Sequence, residues 1–326
     1  MSSSEPVSIA DEDFHVSSRD FKNPSGKQPL NTGDKVPRIP DAKVFESFLT
    51  EECKIGKGGF ASVFKGEYLG KTVAIKALKD KRRAIKESKM LFSVCSHPAI
   101  VDFDGVALLP AERAKYGRYL IVMELCQYGS LQKAMKKKPE DFNDLLKLKV
   151  LVDACSALLF LHSHEPCIMH RDLKPNNLVI ASLDYRSDVC CKLADFGSAR
   201  YLNCAEKTTS KDGSAYYQAP EILKVKDYDS SVDVYSFGMV MYYVLSGKEP
   251  YSEHSENTKE EICHKIAYED LRPDLSSIPE NFRQLRSLME KCWSDEPSER
   301  PSFDFIYKTL LEEYQKCLNH FPSQML

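Results

Sequence analysis

Apolar and polar residues alternate through Ala61-Ser-Val-Phe-Lys-Gly-Glu-Tyr68 and again through Lys71-Thr-Val-Ala-Ile-Lys-Ala-Leu78, with a glycine-containing turn at Leu69-Gly70 between them. That period predicts two neighbouring strands. The charged segment from Asp80 to Leu91 has helical character, and Tyr119-Leu-Ile-Val-Met-Glu-Leu125 reads as a short apolar strand. After Gly129 the period lengthens. Asn143 to Leu161, Ser231 to Leu245, Asn281 to Lys291 and Phe303 to Tyr314 carry apolar residues three and four apart, the spacing of helices that bury one face. Strands first and helices later predict an α+β chain in which a sheet-rich lobe joins a helical lobe, and small-molecule sites favour such junctions.

Composition adds boundaries. The chain has 326 residues, 42% of them hydrophobic, enough for one large or two medium domains. Residues 1–45 hold five prolines (Pro6, Pro24, Pro29, Pro37, Pro40) and few large apolar side chains, which predicts a disordered tail. The folded unit is expected over 46–316, divided into 46–125 and 126–316, with 317–326 as a C-terminal tail; no internal repeat interrupts it. Lys plus Arg number 45 against 48 Asp plus Glu, a net charge of −3, which gives no global reason to expect nucleic acid or an anionic membrane as partner.

The apolar run from Phe237 to Leu245 falls far short of the roughly 20 residues that span a bilayer, and the polar, acidic start is unlike a secretory signal, so no membrane anchor is expected. Ser2 excludes myristoylation after Met1, and Phe321-Pro-Ser-Gln-Met-Leu326 lacks the cysteine of a prenylation site. Eleven cysteines, with no C-x-x-C pair, fit reduced thiols in a cytoplasmic setting. His162, His164, Cys167 and His170 cluster in sequence but lack the reproducible spacing of a closed zinc site.

Candidate chemistry begins at Ile55-Gly56-Lys57-Gly58-Gly59-Phe60-Ala61-Ser62-Val63. This run lies between strands rather than between a strand and a helix, which argues against a dinucleotide fold. Its glycines would let backbone amides lie close over a polyphosphate, and a plain glycine-rich hairpin turn is the competing reading. Four further motifs follow in order: Val73-Ala74-Ile-Lys76 with Glu87, His170-Arg171-Asp172-Leu-Lys174-Pro-Asn-Asn177, Asp195-Phe-Gly197 and Ala219-Pro-Glu221. With them the sequence resembles the eukaryotic protein kinase family from about residue 46 to 316.

That resemblance implies a bilobal kinase-like fold and transfer of the γ-phosphoryl group of ATP to protein substrates, with Mg²⁺ (or Mn²⁺) as cofactor. Lys76 would contact the α and β phosphates and Glu87 would fix it. Asp172 would be the base, Lys174 would neutralise the phosphoryl group in transit, and Asn177 and Asp195 would bind metal. Met123 would stand at the back of the nucleotide pocket, the backbone of Glu124 and Cys126 would hold the base, and Ser130 would either reach the ribose or cap a helix. Cys126 would line the pocket mouth. Glu221 with Arg300, and Asp233, resemble the family's architectural residues, and Leu91, Phe103, His170 and Phe196 its apolar spine.

Lys174 and Gly213-Ser214-Ala-Tyr-Tyr217-Gln-Ala219-Pro-Glu221 resemble the serine/threonine type, whereas Cys292-Trp293 through Arg300-Pro301-Ser-Phe303 resembles the signature of tyrosine kinases and the tyrosine-kinase-like group. A tyrosine-kinase-like serine/threonine kinase is the reading that joins the two; dual-specificity, tyrosine-specific and pseudokinase-scaffold readings are its alternatives. Arg171 would anchor a phosphate on Thr208, Thr209 or Ser210, added in trans by a self-associating copy. Departures are Ala61 at the third glycine position, a polar insertion at Tyr185–Asp188, and Lys136-Lys-Lys138, read as a solvated helix end with a docking patch for acidic partners as its alternative.

Overall fold

The computed structural model describes residues 35–202 and 215–320, which divide into two compact units. The first comprises the described residues to Ser96 together with Asp102–Leu125. Its strands are β1 (Lys54–Lys57), β2 (Ala61–Tyr68) and β3 (Lys71–Leu78), followed by helix α1 (Lys81–Val94), β4 (Phe103–Leu108) and β5 (Tyr119–Glu124). They form an antiparallel sheet in the order β1-β2-β3-β5-β4. Strands β2 and β3 pair without a slip from Ala61 opposite Leu78 to Tyr68 opposite Lys71, as their matched alternation requires. Asp80 opens α1 by accepting a 2.7 Å hydrogen bond from the Arg83 N–H, and the helix packs on β3, β4 and β5.

The expectation of a disordered tail through residue 45 is corrected over 35–45. The chain there lies along β4, where Ile39 N–H donates to Val106 O (2.8 Å) and Val106 N–H to Pro37 O (2.9 Å). A 3-10 helix follows over Ala42–Phe48, capped by Asp41. Val36, Ile39, Ala42 and Phe45 are buried, and the last three join Phe64, Val73, Ile75, Leu109, Leu120 and Val122 in one core. These four recur every third residue, and that regularity was hidden by the proline count of the whole segment. Residues 1–34 lie outside the described residues.

The second unit comprises His97–Val101 and the chain from Cys126 on. Its elements are α2 (Leu131–Lys137), α3 (Asp144–His162), β6 (Ile168–Met169), β7 (Leu178–Ile180), β8 (Cys191–Leu193), β9 (Arg200–Tyr201), α4 (Pro220–Leu223), α5 (Ser231–Ser246), α6 (Lys259–Tyr268), α7 (Arg283–Cys292) and α8 (Phe303–His320). Helices α3 and α5 are apolar almost all round and correspondingly buried, with α8 and β8 packed against α3 and α7 against α5. Two short antiparallel ribbons, β6 with β9 and β7 with β8, carry the loops that matter for chemistry. Helix α8 runs to His320, so the expected tail boundary at 317 is corrected by four residues. Among the described residues no helix is long and apolar enough to cross a membrane.

Candidate active site

The candidate residues fall into two groups, one in each unit. In the first unit Lys76 sits mid-strand in β3, between Val63 of β2 and Ile121 of β5. Its ammonium meets Glu87 Oε1 of α1 at 2.5 Å, and both residues are buried. A buried charge without its partner is costly, so each of these side chains holds the other in place. Leu91, one turn after Glu87, is buried on the same helix.

Strands β1 and β2 join through the glycine run, where Val63 opposes Gly56 and Ser62 opposes Lys57. Gly58 N–H donates to Ala61 O at 2.9 Å. A Cβ built on Gly59 would meet nothing within 4 Å, the nearest atom to one on Gly58 is 3.9 Å away, and neither residue has a left-handed φ. The protein's own packing therefore makes no demand for glycine at 58 and 59, contrary to the plain hairpin reading. Ile55 and Phe60 are exposed beside this turn, and Ala61 continues into β2 without distortion. Ala74 opposes Met123 across β3 and β5, and Glu124 N–H is bonded to Asp102 O at 3.0 Å. Phe103 packs on Phe92, with ring centroids 6.0 Å apart.

The second unit gathers the carboxylates. Lys174 Nζ reaches both oxygens of Asp172 (2.8 and 2.7 Å), and Asn177 Nδ2 donates to Asp172 O (2.7 Å) and Oδ2 (2.9 Å). Asn177 immediately precedes β7, and Asp195 follows β8 after one intervening residue, Ala194. Pairing of those strands, extended by Ala194 N–H to Asn177 O (2.9 Å), sets the two side chains at the same end of one ribbon. Asp195 has φ 62°, a left-handed conformation that a non-glycine residue adopts at a cost. His170 shares a 3.1 Å hydrogen bond with Ala194 O through Nε2, and its ring lies edge-on to Phe196.

One buried carboxylate holds this loop from behind. Asp233 of α5 accepts from the N–H groups of His170 and Arg171, both at 2.8 Å, and pairs with His162 Nε2 at 3.0 Å. Burial alone would raise its pKa. The His162 hydrogen bond and charge, His170 and the Arg171 N–H outweigh that and hold the Asp233 carboxyl below its ordinary 3.8. A depressed acid contributes stability above its unfolded pKa and loses it as the pH falls through the folded one. Melting temperature should therefore decline with falling pH below about 3.8, and less steeply in Asp233→Asn than in wild type; parallel acid limbs in the two melting profiles would refute this assignment.

Arg171 also has a left-handed φ, 69°, and is buried, with its guanidinium 5.8 Å from the Tyr228 ring. Among the described residues its Nη1 has no hydrogen-bond partner. Thr208, Thr209, Ser210 and Ser214 lie outside the described residues. Glu221 and Arg300, 79 positions apart, form a bidentate pair at 2.6 and 2.9 Å, and Arg300 also donates to Ser294 O and Ser231 O.

One expectation changes. Cys126 is only 6% exposed, so its thiol does not present itself at a surface. Ser130 caps α2, accepting from Lys133 N–H at 3.3 Å, and its hydroxyl proton is left for any ribose contact. His164 bonds Phe160 O through Nδ1, so with His162 on Asp233 and His170 on Ala194 O the clustered histidines each serve local packing. Every described cysteine is a free thiol, and burial pushes Cys167 up to about 11 and Cys190 up to about 12.

Sequence reasoning missed Asp153. It accepts from the N–H groups of Cys190 and Cys191 and pairs with Lys149, which also donates to Asp188 O, so the polar insertion is tied to α3 at the mouth of β8. An acidic residue inside the apolar run Val150–Leu161 was the available signal.

A five-stranded sheet with a buried lysine–glutamate pair, joined in sequence to a helical unit with a carboxylate loop, is the α+β architecture of a protein kinase. Residues 49–314 match the family model described as protein kinase domain, and the chain belongs to that family, whose members in general use ATP and a divalent cation. Dual specificity protein kinase shkC of Dictyostelium discoideum is 33% identical over 268 residues, covering 78% of this chain and 49% of that protein. From the same organism, probable serine/threonine-protein kinase gdt2 is 32% identical over 259 residues (78% of this chain, 15% of that protein), and qkgA, similarly named, 30% over 317 (85% and 19%). The chain thus spans half or less of the length of these relatives.

Proposed function

We propose that this chain is a cytoplasmic serine/threonine protein kinase that transfers the γ-phosphoryl group of Mg·ATP to hydroxyls of protein substrates. The observation that carries the reading is the hydrogen-bonded set Asp172, Lys174 and Asn177. In this reading Asp172 orients the acceptor hydroxyl and takes its proton, while Lys174, already beside that carboxylate, turns to the phosphoryl oxygens as negative charge moves onto them. Lys76, fixed by Glu87, grips the α and β phosphates, and the amides of residues 56–61 cover them where glycine leaves the backbone open.

Oxygen donors suit a hard cation. Both hydrogen bonds of the Asn177 amide group run through Nδ2 to Asp172, so its carbonyl oxygen is the donor it offers beside the Asp195 carboxylate. Asn177 and Asp195 would hold Mg²⁺, which would supply positive charge against the phosphates, and Mn²⁺ would suit the same donors. A scaffold without catalysis would be expected to lack Lys76, Asp172, Asn177 or Asp195, and all four are present.

Serine/threonine specificity rests on Lys174 and on the names of the relatives. Dual specificity is the second reading, favoured by the name of shkC. The buried Nη1 of Arg171 supports control by a phosphate on Thr208, Thr209 or Ser210, acquired by transient self-association. Incubation with Mg·ATP followed by phosphoamino-acid analysis and site mapping tests all of this. Phosphoserine or phosphothreonine, including one of those three positions, is the expected product; phosphotyrosine alone would replace the specificity, and modification confined to other segments would remove the switch.

A further inference from the structure

Phe60, at the tip of the glycine run, is an apolar side chain that remains 52% exposed. Hydrophobic burial therefore does little to hold it where it is. The Arg83 guanidinium lies 3.5 Å from the centroid of its ring, within the range of a cation–π contact. Arg83 belongs to the first turn of α1, and one turn further on the same stripe of that helix stands Glu87, the partner of Lys76. The tip itself is loosely built: Gly58 N–H bonds only within the turn, to Ala61 O, and no side chain crowds Gly58 or Gly59.

We propose that Arg83 is a positioning residue for the nucleotide: by holding the Phe60 ring it tethers the phosphate-covering loop to the helix that also sets Lys76. This rests on the kinase reading above. The coupling follows from geometry. A rigid α1 that places Glu87 on Lys76 places Arg83 under the loop tip at the same time, so the closed loop and the engaged lysine are favoured together. An α1 displaced along or away from the sheet would surrender both. The helix cap is no part of this, because it uses the backbone N–H of residue 83 and survives any side-chain substitution.

An exposed cation–π contact is worth a factor of about two to five in an equilibrium. In Arg83→Gln and in Phe60→Leu, hydrogen exchange at the amides of residues 58–61 in nucleotide-free protein should quicken by about that factor. The double variant should be no faster than either single one, and Arg83→Lys should recover most of the protection. With ATP, KM should rise by a similar factor, about two- to fivefold, while kcat stays near wild type, since the tether acts alike on ground and transition states. A role confined to stabilising α1 would instead lower the melting temperature and kcat, with no rescue by lysine.

Wild-type exchange and KM in Arg83→Gln, or fully additive effects in the double variant, would overturn the tether. A wild-type protein that transfers no phosphate would refute the kinase reading and not the tether, which the exchange measurement decides alone.

Discussion

Asp172→Asn should reduce phosphoryl transfer by a factor of about 10² to 10⁴, some 3–5 kcal/mol in the barrier, while nucleotide affinity stays close to wild type. Asparagine matches the carboxylate in shape and can still accept from Lys174 and Asn177, so the loop, held from behind by Asp233, should keep its form. What disappears is a group able to take the hydroxyl proton, together with half of the ion pair that sets Lys174. Nucleotide contacts are assigned elsewhere, to Lys76 and the glycine run, which is why binding and turnover should separate. The measurement is single-turnover transfer beside a direct ATP titration. Retention of more than about a tenth of the wild-type rate would mean that Asp172 is no base.

Phe45→Ala should destabilise the first unit by about 3–5 kcal/mol, a large fraction of what holds an ordinary domain together. The ring is fully buried and stands 5.6 Å from that of Tyr68, in the cluster shared by β2, β3 and β5. Val44 is 45% exposed next to it, and Val44→Ala should cost no more than about 0.5 kcal/mol. Urea titration of both variants makes the comparison internal, and equal midpoints would show that the 3-10 segment is an appendage. A shortened chain starting at residue 46 should fail in the same way, because it would uncover Phe64, Ile75 and Leu120 at once.

That second result marks where the sequence was hard to read. Strands β2, β3 and β5 and helices α1, α3, α5, α7 and α8 announce themselves because their apolar residues either recur at the proper period, as in β2, α1, α7 and α8, or run through nearly the whole element, as in β3, β5, α3 and α5. Strand β4 does not: Gly105 and a register shift after Phe103 break its alternation. The segment from Val36 to Phe45 buries a side chain only every third residue, a signal diluted by the two prolines, Pro37 and Pro40, and the three charged residues, Arg38, Asp41 and Lys43, between them. On the site, Lys76, Asp172, Asn177 and Asp195 were legible through motif order, since their chemistry fixes both residue type and spacing. Arg83 and Asp153 were not, because each matters through what folding places beside it, an aromatic ring in one case and two backbone N–H groups in the other.

The left-handed backbones of Arg171 and Asp195 have an evolutionary consequence. Each position holds a residue whose main chain would be more comfortable as glycine or asparagine, so a population selected only for thermal robustness would drift toward exchanging them. Arginine and aspartate are thus held at these positions against the gradient of backbone stability. The same two positions are the first to watch in any laboratory lineage bred for heat resistance.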